Sequence, residues 1–312
     1  MRLFDLKNWL LTLGAVPLLA SAAFVSPVWA DRDDSDKDRK VFSHHDSHHH
    51  GGWKSRVVNC NKGGSIQRKI DRAESGDTVW VSGNCTENVT IDRDDITLAA
   101  HSNGASITAA VTTAPLVTIR GNRARIVGFT LVGGSSVILV TYGSSATIEA
   151  NDISGGDTSR GIFVTQNSYA QIGGDDASKG NVIHHNRRGV DVNSSSSVDV
   201  FSNTFHNNER GIQIINSSAG RLGDNTISDS DRAVYVAFSS NLTLASGTSA
   251  ATQGANTFIN NTDAIRCRFG ASFSGGPSAV EQIDGGNVNL INLSTGDATR
   301  CHFSDSVVFI AP

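Results

Sequence analysis

Methionine occurs once in the 312 residues and proline five times, while aromatic side chains make up only 6% of the chain. The four cysteines include no Cys-x-x-Cys pair, so thiolate zinc sites and thioredoxin-like redox chemistry have no support. A positive excess is missing too. The formal net charge is −4 and the charges are scattered, which argues against a nucleic-acid partner, since such a partner favours a basic stripe. A long apolar run appears only at the start of the chain. Hydrophobic residues at 38%, together with 31 Gly, still reach the ordinary apolar share of a globular protein, so a core can form. The excess of Asn and Gly over Met and Pro points to many similar turns joining short strands.

Arg2 and Lys7 precede an uncharged stretch, Asn8 to Ala30, whose apolar part is Trp9 to Val25 and which ends Ser26-Pro27-Val28-Trp29-Ala30. A positive start, an apolar middle and a Val-x-Ala ending predict a secretory signal peptide over 1–30, cut after Ala30. Export to the periplasm or the cell exterior permits disulfides, and no membrane span is expected after cleavage. Two cysteines lie near the start of the remaining domain and two near its end, which pairs Cys60 with Cys85 and Cys267 with Cys301. Residues 31–52 begin as a mixed-charge run and continue with His44, His45, His48, His49 and His50. Such a composition predicts a solvated, disordered linker, with imidazoles able to take Cu²⁺ or Zn²⁺. The folded domain is then 53–312.

A repeat with a fixed period decides the fold. One column is an Asn followed by a small or polar residue and then an apolar one, at Asn151, Asn181, Asn203, Asn225 and Asn256. A second is a short strand beginning at Arg160, Arg188, Arg210, Arg232 and Asp263. A third is one aliphatic residue after a Ser-rich turn: Ile126, Ile148, Ile172, Val200, Leu222 and Leu244. The strands alternate at period two, and segments so short must stack on their own copies to bury an inner face. This predicts an all-β fold, a single-stranded right-handed parallel β-helix of about 22 residues per rung, with the Asn column as a ladder of buried amides. Residues Ser65 to Ser75, with Ile66, Ile70 and Ala73 on one face, predict an amphipathic helix capping the N-terminal end. The insertions at 173–180 and 245–255 both enter the same turn. The Cys267–Cys301 bond and the run Val307 to Ile310 are expected to close the other end.

The segment from Ser65 through Ala73-Glu74-Ser75-Gly76-Asp77-Thr78-Val79-Trp80-Val81, with Asn84 to Ile91 and Ile96-Thr97-Leu98, resembles the opening of the pectin-lyase-like β-helix superfamily. The later Asn-x-Ile and Gly-Ile-x-Val rungs resemble its parallel β-helix repeats, including those of the periplasmic copper-binding accessory proteins of nitrous oxide reductase maturation. The resemblance spans residues 57 to 306. It implies a fold rather than one activity, because this scaffold carries lyases, hydrolases, esterases, epimerases, adhesins and non-catalytic proteins.

Paired carboxylates are needed for glycoside hydrolysis, but the outward column of the Gly-x-x-Val strand, Phe163, Asp191, Gln213, Tyr235 and Arg266, holds one acid. The Asp-Phe-x-x-Gly turn of pectin methylesterases and the Asp-Pro-His-Asp run of alginate epimerases are missing. A lyase needs a base and a cation that stabilises the enolate. Asp191, Tyr235 and Arg266 are the candidate catalytic residues, with Ca²⁺ as the cofactor of that variant. Arg160, Arg188, Arg210 and Arg232, with Gln213, form a candidate substrate column for uronate carboxylates; the alternative is a solvated charge ladder paired with Asp157, Glu209, Asp229 and Asp231. His184 and His206 sit one rung apart, with His185 beside them, and could hold a metal through neutral nitrogens. Asp199 and Arg221, also one rung apart, read as a surface ion pair. Two functions follow. The first is an exported, monomeric β-helix that recognises an acidic or neutral polysaccharide or cell-surface glycan, with or without turnover. The second is a non-catalytic periplasmic or surface protein, either an adhesin or a metal-handling accessory.

Overall fold

The computed structural model describes residues 57–244, 256–275, 280–284 and 302–303. The signal peptide, the linker with His44, His45, His48, His49 and His50, the second insertion, Cys301 and the closing run at 307–310 lie outside the described residues. Each turn of the coil lays down three short strands, as in Ser197–Phe201, Thr204–His206 and Arg210–Ile214, which define a first, second and third face. The next turn repeats them one period later, with Ser197 beside Ala219, Thr204 beside Thr226 and Arg210 beside Arg232, all parallel. The third face is a sheet of eight strands running from Val89–Ile91 to Asp263–Cys267. The chain is a right-handed parallel β-helix.

Period-two alternation explains why the strands stack. Ile162, Val164, Val190, Val192, Ile212, Ile214, Val234 and Val236 point inward from the third face and are fully buried. Ile126, Ile148, Ile172, Val200, Leu222 and Leu244 do the same from the first face, and Ile153, Ile183, Phe205, Ile227 and Phe258 from the second. Each such side chain contributes about 1.5–3 kcal/mol when buried, and none can be buried without the rung above and below.

The corners carry the polar part of the register. Between the first and second faces, each Asn donates from Nδ2 to the Oδ1 of its copy on the next rung: Asn151 to Asn181 at 3.0 Å, Asn181 to Asn203 at 2.8 Å, Asn203 to Asn225 at 3.1 Å and Asn225 to Asn256 at 2.9 Å. This is the amide ladder expected from the sequence. A further column at the second corner, Asn186, Asn208, Ser230 and Asn261, is also buried and was not apparent from the repeat; Asn186 Nδ2 donates to Asn208 Oδ1 at 3.1 Å. At the third corner the backbone amides of Ser168, Ser196 and Ser218 each donate to the hydroxyl of the next rung's serine. The insertion at 173–180 opens at the first corner, as its position in the repeat requires, and contains a single 3-10 turn, Ala177–Lys179.

At the N-terminal end the α-helix is Ile66–Ile70, shorter than the expected 65–75, with Ser65 as its N-cap. Ile66, Ile70 and Ala73 are buried as expected. Glu87 holds the helix start, accepting from Ser65 Oγ at 2.6 Å, Ile66 N at 2.8 Å and Gln67 N at 3.2 Å. Cys60 and Cys85 are bonded, with Cα atoms 5.1 Å apart. Cys267 is disulfide-bonded as well.

Candidate functional site

Two groups of outward side chains stand out. The first is at the second corner. His184 and His206 end equivalent second-face strands and are in register, so their rings stack with centroids 4.8 Å apart and an interplanar angle of 3°. His185 is the next residue along and takes φ 51°, the left-handed corner conformation shared by Asn207, Asp229 and Asn260 at the same place on later rungs. Asn, Asp and His are the non-glycine residues most often found there. That backbone turn swings the His185 ring back over the pair, edge-on to both. His184 Nδ1 lies 2.7 Å from His185 Nδ1, and His184 Nε2 lies 2.7 Å from Asp152 Oδ1. One ligating atom from each histidine fits within 4.8 Å of the others, and among the described residues this is the one such convergence of His, Cys, Asp and Glu.

The chemistry of this donor set suits a late first-row metal ion. Imidazole suits copper, zinc, iron and nickel, and a carboxylate on the far nitrogen of a ligating histidine is the usual second support. Two nitrogens held by one ion at about 2.0–2.1 Å are about 2.8–3.0 Å apart at a right angle and about 3.3–3.4 Å apart at a tetrahedral angle. His184 Nδ1 and His185 Nδ1 share a hydrogen bond here, and a bound ion would take the place of its proton. Burial, with His184 and His185 close by, pushes the His206 pKa below its usual 6.5. At neutral pH His206 therefore stays neutral, with its lone pair available.

The second group covers the third face in two parallel columns three residues apart. Arg160, Arg188, Arg210, Arg232 and Asp263 are in register in one column, and Phe163, Asp191, Gln213, Tyr235 and Arg266 in the other. The structure brings every expected residue of this face together, but it buries Asp191 completely. Its Oδ2 accepts from Arg160 Nε at 2.7 Å and Arg188 Nη1 at 2.9 Å, and its Oδ1 from Gln213 Nε2 at 2.8 Å. A general base must reach its substrate; Asp191 instead anchors two guanidiniums. Asp263 does the same for Arg266 at 3.2 Å and Arg232 at 3.9 Å. The counter-charges of the arginine column are thus Asp191 and Asp263, from within the face. Of the expected set only Glu209 contributes, at 3.5 Å from Arg210, while Asp229 turns to Asn260 at the second corner. No further carboxylate joins Asp191 among the described residues to build a Ca²⁺ site.

Aromatic rings fix the guanidinium planes. The Arg160 guanidinium lies 4.4 Å from the Phe163 ring centroid, and Arg210 and Arg232 lie 5.3 and 5.9 Å from that of Tyr235. On the first face, Arg221 and Asp199 approach to 3.7 Å as expected.

A three-sided parallel coil with polar corner ladders and a histidine cluster outside one corner defines the class: a parallel β-helix repeat protein. Residues 63–289 match the NosD family of periplasmic copper-binding proteins. The chain belongs to that family, and its localisation is accordingly periplasmic. No curated protein sequence matches the chain. Among solved structures it is similar to a pectin methylesterase mutant in complex with a hexasaccharide, at 13% identity and a TM-score of 0.34 over 73% of this chain and 80% of that one.

Proposed function

We propose that the protein is a periplasmic accessory that holds copper, as cargo, at the corner formed by His184, His185 and His206. The observation that carries this reading is the convergence of three imidazoles from two successive rungs, with Asp152 on the outer nitrogen of His184. The family's description supports copper as the ion. Copper titration of the full chain, compared with the full chain carrying His185→Asn and His206→Ser, tests it. The replacements are the residues that later rungs place there, Asn207 and Ser228, so the corner is preserved. Any ion taken up by the linker histidines appears in both titrations. One equivalent of copper should be lost in the variant; equal uptake would remove the corner from consideration.

Polysaccharide recognition is the second reading, favoured by the five guanidiniums gathered on the third face. It is a binding role, because Asp191 is enclosed by arginines and, among the described residues, the face shows no second carboxylate poised to act with it.

A further inference from the structure

The charges of the third face do not balance. Arg160, Arg188, Arg210, Arg232 and Arg266 stand in two adjoining columns whose only carboxylates, among the described residues, are Asp191 and Asp263. The shortage falls on the middle of the array. Asp191 is shared by Arg160 and Arg188, and Asp263 by Arg232 and Arg266. Arg210, between them, is left with the neutral carboxamide of Gln213, the face of Tyr235 and a 3.5 Å approach to the solvent-facing Glu209. Gln213 cannot supply charge, and its own Nε2 is committed to Asp191. The Nε–H groups of Arg188, Arg210 and Arg266 on this face, and of the neighbouring Arg187, are buried without a hydrogen-bond partner. Buried donors are normally paired, so each exception calls for an explanation. Burial, with Arg232 and Arg188 on either side, also lowers the Arg210 pKa.

We infer that the third face binds the carboxylates of an acidic polysaccharide, with Arg210 as the anchoring cation. This rests on the polysaccharide reading and narrows it to a ligand class and a residue. A polymer is favoured over a single small anion because the cations do not converge on a point. They run in line, one per rung at about 4.8 Å, from Arg160 to Arg232. A chain bearing one carboxylate on each sugar can place an anion beside Arg210 and its neighbours together. The guanidinium fork suits a carboxylate, donating to it through two parallel hydrogen bonds, and the rings of Phe163 and Tyr235 hold the forks oriented before the ligand arrives.

The test is binding of the full chain to polygalacturonate, to its fully methyl-esterified form and to monomeric galacturonate, at low and high salt. The expected result is binding of the de-esterified polymer alone, weakened by salt because the contacts are ionic. Arg210→Met, which keeps the aliphatic stem, should weaken it about tenfold or more, as for loss of a charged hydrogen bond. Without ligand the same variant should unfold at no lower temperature, because it relieves repulsion from Arg188 and Arg232. Arg210→Lys, which keeps the charge and loses the fork, should retain the salt dependence at reduced affinity. Equal binding by Arg210→Met and the parent, or equal binding of the esterified polymer, overturns the role of Arg210 and leaves the polysaccharide reading standing. Equal affinity for the monomer overturns the polymer, and no binding to either polymer overturns both.

Discussion

Arg160 and Arg188, one rung apart, share a single carboxylate oxygen of Asp191, at 2.7 and 2.9 Å. Two like charges are thus held side by side by an anion that the outward column supplies from within the sheet. The pair spans the longest step in sequence between arginines of the column, because the first insertion lies between them. Asp191 therefore keeps register across the widest interruption between the arginines of that column.

Replacing Asp191 with Leu should leave both guanidiniums without their anion. Breaking a buried pair by removing one partner costs about 3–5 kcal/mol, and the part exposure of the arginines reduces this to about 2–3 kcal/mol. Chemical denaturation of the variant measures it; a change below half a kcal/mol would show that water replaces the carboxylate at no cost.

Asn203 sits mid-ladder. Its Oδ1 accepts from Asn181 N at 2.9 Å and Asn181 Nδ2 at 2.8 Å, and its Nδ2 donates to Ile172 O, Phe201 O and Asn225 Oδ1. Asn203→Leu removes all of these and strands the Asn181 donors in a buried corner. A loss of about 3 kcal/mol is expected from unsatisfied buried polar groups. Hydrogen exchange should show the damage confined to the neighbouring rungs, because a repeat coil transmits stability mainly to its nearest copies.

The pH dependence has a clear sign at Tyr169. Burial first, then the nearby Asp199 carboxylate, push its phenol from 10 up to about 12; its hydroxyl donates to Asp199 Oδ2 at 3.0 Å. The neutral phenol is favoured in the fold, so its contribution to stability is whole below about pH 10 and is lost as pH rises toward 12. Phenolate absorbance should show a phase near pH 12 that Tyr169→Phe removes and Asp199→Asn moves downward.

The coil, its period and its first amide ladder are legible in the sequence because one residue type recurs in phase at Asn151, Asn181, Asn203, Asn225 and Asn256. The second ladder is harder to see. Ser230 interrupts it, and Asn186 and Asn208 lie next to the strand-initiating arginines, which dominate the pattern. His184 and His206 are visible as a pair at one-rung spacing. What joins His185 to them is a single left-handed residue, φ 51°, which spacing does not encode; the signal that could have found it is that Asn and Asp fill that place on later rungs. The counter-charges followed the same rule. Asp231 adjoins Arg232 in sequence, but Asp191 and Asp263 lie in the paired columns, where each reaches one arginine three residues away on its own strand and a second on the adjoining rung.

The corner ladders have a consequence for how such a molecule can change over generations. Along the first corner, each amide bond across rungs is repeated in kind by the copy above it. Excising or duplicating one whole turn within that run would therefore leave each surviving asparagine with a partner of the same type. Length becomes a quantity that can drift in whole turns. A cluster assembled from two successive turns, as His184, His185 and His206 are, is carried along intact so long as the cut falls elsewhere.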